Sequence, residues 1–223
     1  MGCIAFGGEG EHLHSMPWDA AEIEGNAEAF RRKFDRGGGV VAMARRALGP
    51  SGVALALHRG LIARDAVLLW ESARPKILVR PGIELQPRRI SWAVAHELGE
   101  LILRRAHYRE ADVERVANAL AAALLMPREA FCRAYAAEGF NLEALAEEFC
   151  APQSAVALRV GEAAEEVVAL VTPTRVHRRD PHQQLPDDEA LYRMVRHAAD
   201  RPAPVVCHEL TDARRVVVVR AVA

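Results

Sequence analysis

The sequence predicts an α+β fold, and three observations carry that reading. Apolar residues recur at helical spacing over most of residues 88–162. Short β-branched runs cluster in two separate places, between 53 and 79 and again after 167. With 223 residues, 51% hydrophobic and 26% charged, the chain can bury a sizeable core and carry an appendage.

The elements follow in order. Residues 1–18 are glycine-rich and read as irregular. Helix-favouring residues fill 19–34, and the run Asp35-Arg36-Gly37-Gly38-Gly39 breaks the pattern. A second helix is expected over 40–48, stopped by Gly49-Pro50. Strands are expected at 53–57, 66–70 and 76–79, separated by turn signals, and are read together as a small antiparallel sheet. Pro87 opens a long helix over 88–105 that buries one face through Ile90, Val94, Leu98 and Leu101. Another helix runs over 111–125, and Pro127 opens the next, to about 137. Asn141 is a candidate N-cap for a helix–turn–helix-like pair at 142–149 and 152–162. The last sixty or so residues read as a small α/β appendage. It has strands at 167–171, 205–209 and 214–222, a polar loop at 175–188 and a helix at 188–199.

Composition excludes several function classes. Net charge is −1, so no global attraction to nucleic acid or anionic lipid is expected. The cysteines Cys3, Cys132, Cys150 and Cys207 form no CxxC pair, which argues against a cysteine zinc cluster and for reduced thiols in a cytoplasm. No apolar run reaches the length of a membrane span, and the first residues lack a signal-peptide pattern. Met1-Gly2-Cys3 begins like a myristoylation signal, but Phe6 stands where Ser or Thr is needed.

Chemistry concentrates in His96-Glu97-Leu98-Gly99-Glu100. In the zinc-binding pattern H-E-x-x-H, two histidines one turn apart hold the metal and the adjacent Glu is a general base. Here His96 and Glu97 stand in place, and Glu100 occupies the second histidine position. His96 and Glu100 share a helical face, and Glu97 is rotated about 100° from His96. A third ligand is required, and Glu114 on the following helix is the best candidate. Asn118, one turn later, is suited to accept from the ring N–H of a ligating His. Glu110 and Asp112 are rival carboxylates, and His107 is the substitute should Glu100 not bind.

The block S-W-A-V-A-H-E-L-G-E at residues 91–100, followed by E-R-V-A-N-A-L-A-A-A-L-L-M-P at 114–127, resembles the ImmA/IrrE family of bacterial metallopeptidases. The family pattern is a HELGH helix and then E-x-x-A-N-x-F-A-x-x-L-L-M-P, and the resemblance covers roughly residues 40–163. It implies a thermolysin-like site using Zn²⁺, with His96 as first ligand, Glu97 as base and Glu114 as carboxylate ligand. It also implies a protein or peptide substrate, since some members cleave a helix–turn–helix repressor and so switch on mobile-element or stress-response genes. Leu120 replaces the family Phe, a core exchange. Glu100 replaces a neutral ligand by an anionic one, which suits Mn²⁺ better than a two-histidine site and weakens Lewis acidity.

Four segments are therefore expected: a variable N-terminal segment 1–36, a metallopeptidase-like core 37–138, a helical unit 139–163 and a C-terminal subdomain 164–223. The expected function is cytoplasmic zinc-dependent cleavage of a regulatory protein. The alternative is a catalytically silent regulatory or interaction protein on the same scaffold, with Glu100 paired to Arg104. DNA binding by the 142–162 pair is not expected. Gln153, Ser154 and Arg159 could face a groove, but Glu143, Glu147, Glu148 and Glu162 oppose phosphate. His177, Arg178 and Arg179 read as a solvated loop tip. The remaining histidines, His12, His14, His58, His182, His197 and His208, have no ligand-like spacing partner.

Overall fold

A computed structural model of the protein describes residues 18–55, 64–70, 74–108, 112–164, 166–172, 176–179, 185, 187–196, 205–210 and 217–221. The chain divides into two compact units, residues 1–125 and 126–223.

In the first unit, α1 (Ala20–Phe34) starts at Asp19, whose carboxylate accepts from the Glu22 N–H while Glu22 reaches back to the Asp19 N–H. α1 buries Ile23, Ala27 and Phe30, and α2 (Gly39–Leu48) buries Val40, Met43 and Ala44. Strands β1 (Val53–Leu55), β2 (Ala66–Leu69) and β3 (Lys76–Val79) form one sheet. Its order is β1-β3-β2, with β2 antiparallel and β1 parallel to β3. The sheet is therefore mixed, which corrects the antiparallel expectation. Reading consecutive runs as hairpins fails because β3, last in sequence, takes the centre. Residues 56 and 57 of the first expected strand lie outside the described residues.

A 3-10 turn (Ile83–Leu85) leads into α3 (Pro87–Arg105), with Pro87 in its first turn where the missing N–H costs nothing. α3 does more than bury one face. Every residue from Ala93 to Gly99 is buried, because α3 packs on β2 and β3 as well as on α2 and α4 (Val113–Leu125). Gly99 lets α3 and α4 approach closely: a Cβ there would lie 2.7 Å from the Ala117 carbonyl oxygen. Val94, Leu98 and Leu101 meet Val116, Leu120 and Leu124 in one apolar core.

Past its end, α3 closes with His107 in the left-handed region (φ 55°). The His107 N–H bonds the Arg104 carbonyl at 3.2 Å and the Tyr108 N–H bonds the Leu103 carbonyl at 3.0 Å. That is a Schellman closure, and it gives His107 a backbone role.

In the second unit, α5 (Arg128–Glu138), α6 (Leu142–Glu148) and α7 (Gln153–Ala163) pack on one another. Asn141 caps α6 by accepting from the Ala144 N–H at 3.2 Å. Arg159 and Gln153, read above as possible groove-facing residues, are buried. Arg159 Nε donates to the Met126 carbonyl at 3.0 Å, and Gln153 pairs with Glu143. Packing, not groove reading, accounts for both side chains.

Strands β4 (Val168–Val171), β5 (Val176–Arg179), β6 (Val205–Glu209) and β7 (Val217–Ala221) form a sheet of order β5-β4-β7-β6 in which every pair is antiparallel. The expected polar loop thus holds a strand over Val176–Arg179. It lies at the edge of the sheet, and β4 supplies the ladder. Leu191 of α8 (Asp188–Arg196) packs on Val167, Ala169 and Val171. A sheet whose pairs are all antiparallel, with α7 and α8 on it, makes this appendage α+β, not α/β. The reading of residues 1–18 as irregular falls, apart from Trp18, outside the described residues.

Candidate metal centre

α3 and α4 bring His96, Glu100 and Glu114 together. One ligand-type atom from each lies within 4.8 Å of the others. His96 Nε2 stands 3.6 Å from Glu100 Oε1 and 3.8 Å from Glu114 Oε1, charge contacts longer than hydrogen bonds. The other ring nitrogen, Nδ1, lies 3.0 Å from Asn118 Oδ1. That contact requires the proton on Nδ1, which leaves the Nε2 lone pair aimed at the two carboxylates. Glu114 and Asn118 sit one turn apart on α4, so a single helix face supplies both.

The donor set fits a divalent cation. An imidazole nitrogen and two carboxylate oxygens are ordinary zinc ligands, and the imidazole is held from behind by an amide oxygen. His96 is buried and Glu114 is exposed, so the cluster opens outward on the Glu114 side. His107 is exposed and outside the cluster, and Asp112 pairs with Arg115 at 3.1 Å. Glu110 lies outside the described residues.

Glu97 is not one of the three clustered residues, and it reaches the sheet. Its Oε2 accepts the Leu68 N–H of β2 at 2.6 Å, and the residue is buried. The Arg80 N–H donates to the Asp65 carbonyl at 2.8 Å, so the hydrogen-bonded rungs between β2 and β3 fall at 65/80, 67/78 and 69/76. Ala66 and Leu68 therefore point their backbone groups to the open edge of the sheet, and Glu97 takes one of them. Asp65 fixes the start of this strand. It accepts from Arg80 Nη2 at 2.6 Å, from Arg89 Nη2 at 2.9 Å and from Arg89 Nε.

The charges shift one another. Burial raises the Glu97 pKa and the neighbouring Glu100 carboxylate raises it further. His96, the Leu68 N–H and Arg64 oppose but do not cancel this, so Glu97 is a stronger base than an ordinary carboxylate. Burial disfavours the His96 imidazolium, yet the facing carboxylates of Glu100, Glu114 and Glu97 win and its pKa is raised. Glu100 is lowered, first by His96 and then by Arg104 and Arg64, against the effect of burial.

Sequence reasoning missed three contributors: the Leu68 N–H, the Asp65 clamp and Arg64. Arg64 Nη1 lies 3.8 Å from Glu114 Oε2. All three belong to β2 or its approach, and nothing local in sequence ties that strand to residues 96–118.

No curated protein matches the chain. Among solved structures, a Mycobacterium tuberculosis transcriptional regulator has a similar fold. It has a TM-score of 0.60 and 13% sequence identity, and the match covers 90% of this chain and 74% of that one. Residues 64–160 match the family model for the IrrE N-terminal-like domain, Peptidase_M78. That stretch includes β2, both helices of the cluster, and α5, α6 and most of α7. The resemblance read from the HELGE and E-x-x-A-N-x-L motifs is thereby borne out: residues 64–160 are similar to the IrrE N-terminal-like domain of the ImmA/IrrE metallopeptidases.

Proposed function

We propose that this chain is a zinc-dependent endopeptidase in which His96, Glu100 and Glu114 hold the metal, Glu97 is the general base and Asn118 orients His96. The observation that carries this reading is the convergence of three ligand-type atoms around a histidine whose far nitrogen is already held. A divalent cation in that cluster supplies a Lewis acid and lowers the pKa of water. Glu97 takes a proton from the attacking water and returns it to the leaving amine nitrogen, a task its raised pKa favours. An extended substrate adds to the open edge of β2, where the Ala66 N–H and carbonyl and the Leu68 carbonyl point outward.

The substrate we propose is a regulatory, repressor-like protein carrying a helix–turn–helix. The family match over residues 64–160 supports this. Direct DNA binding is not part of the reading, because Gln153 and Arg159 are buried. A cytoplasmic setting fits. Among the described residues no helix is long and apolar enough to cross a membrane.

One observation favours a second reading, a silent scaffold. Glu100 Oε2 lies 3.6 Å from Arg104, so the carboxylate has a partner without any metal. Such pairs on a helix surface are weak, typically about 0.3–0.5 kcal/mol. That is far below the free energy of a structural zinc site, about 10–16 kcal/mol. Arg104 therefore does not compete effectively for Glu100.

Asn118→Ala tests the orienting role. Zinc affinity should drop by about 10–100-fold while the fold persists, measured by competition with a chromogenic chelator. Unchanged affinity would remove Asn118 from the site.

A further inference from the structure

Two arginines reach the carboxylate cluster from different elements. Arg104 stands on α3, one turn beyond Glu100. Arg64 precedes β2, the strand whose edge faces the proposed substrate path. Arg64 also acts at a distance, adding a small downward push at Glu100 and opposing the rise at Glu97. It is thus within electrostatic range of all three acids.

Its contact with Glu114, at 3.8 Å, is too long for a hydrogen bond, and its side chain is 63% exposed. The guanidinium therefore keeps donors for another acceptor. The backbone beneath it is fixed, because Asp65, the next residue, is clamped by Arg80 and Arg89.

Amide hydrolysis needs positive charge where this site has little. Water oxygen bonds to the carbonyl carbon, the π pair moves onto the carbonyl oxygen, and the proton goes to Glu97. The oxyanion pair then re-forms the C=O bond, the C–N bond breaks with its pair staying on nitrogen, and nitrogen takes that proton. The oxyanion forms beside three carboxylates, one more than a two-histidine site would have. A donor aimed at such an oxyanion contributes most where the surrounding charge opposes it.

We propose that Arg64 donates to the oxyanion of the tetrahedral intermediate, a catalytic role that rests on the peptidase reading above. It enters from the exposed Glu114 side, next to the β2 edge.

The test uses the full chain loaded with zinc, with Arg64→Gln and Arg64→Lys. Three quantities are measured: zinc affinity, casein cleavage, and binding of an N-phosphorylated Leu-Trp dipeptide against the Leu-Trp hydroxamate. The phosphoryl oxygens mimic the oxyanion, and the hydroxamate needs only the metal. Arg64→Gln should lower kcat about 10²–10³-fold with KM within about twofold. It should weaken phosphoramidate binding in parallel and leave zinc and hydroxamate binding unchanged. Arg64→Lys should recover part of the loss. A fall in zinc affinity would overturn the proposal by showing that Arg64 only steadies Glu114. A loss confined to KM, or unchanged kcat and phosphoramidate binding, would also overturn it. If the natural chain neither cleaves casein nor binds the phosphoramidate, the peptidase reading fails and this proposal with it. Cleavage by the natural chain that survives in Arg64→Gln removes this proposal alone.

Discussion

Glu97→Gln should reduce peptide cleavage by about 10²–10⁴-fold, the range expected when a general base is removed. The substitution is nearly isosteric. The amide oxygen can still accept the Leu68 N–H that now reaches Glu97 Oε2 at 2.6 Å, so β2 keeps its hold on α3. Glu97 is also not among the clustered His96, Glu100 and Glu114, so metal content should not change. The informative result is therefore a pair: zinc retained and turnover lost, read from metal analysis and cleavage of a casein substrate on the same sample. Cleavage that persists in Glu97→Gln would mean the proton is handled elsewhere.

Gly99→Ala should damage both fold and site. Alanine ordinarily stabilises a helix over glycine by about 1 kcal/mol. Here the added Cβ would sit 2.7 Å from the Ala117 carbonyl oxygen and 3.2 Å from its Cα, both backbone atoms that cannot step aside. Overpacking of this kind costs about 1–3 kcal/mol and moves backbone. The clash outweighs the propensity gain, and the midpoint of thermal unfolding should fall by a few degrees, at about 2–4 °C per kcal/mol for a chain of this size. The displaced helix is α4, which carries Glu114 and Asn118, so zinc affinity should fall with stability. A calorimetric scan and a chelator titration of the same variant check both halves. An unfolding midpoint equal to or above that of the natural chain would show that α3 and α4 have room to separate.

How much of this was legible in the sequence follows from the range of each interaction. Helix ends were readable where one residue fixes them, as at Pro87 and Asn141. His96 with Glu100, and Glu114 with Asn118, were readable because each pair lies one turn apart on a single helix. That the two pairs face each other came from the family pattern, and Gly99 supplies the physical reason. The close approach it permits sets the α3–α4 spacing.

What was not legible is non-local or ambiguous. β1 pairs parallel to β3 across a connection that hydrophobic alternation cannot orient. α3 reads as amphipathic, yet is buried all round from Ala93 to Gly99, because polar His96 and Glu97 are held inside by Asn118 and the Leu68 N–H. β5 reads as a loop because His177, Arg178 and Arg179 are polar, and its strand character comes from its partner β4. The role of His107 was open from sequence alone, and its left-handed backbone after α3 explains why it does not join the cluster.

Glu100 carries the central claim, since among the three proposed ligands it alone departs from the family pattern. The most direct measurement is zinc stoichiometry and affinity, by mass spectrometry and chelator competition, for the natural chain, Glu100→His and Glu100→Ala. A working one-histidine, two-carboxylate site predicts about one zinc per natural chain. Glu100→His should also retain metal, and Glu100→Ala should lose more affinity than the 10–100-fold typical of an outer partner. A natural chain without zinc, gaining it only in Glu100→His, would contradict the account and favour the silent scaffold, as would Glu100→Ala binding zinc as tightly as the natural chain.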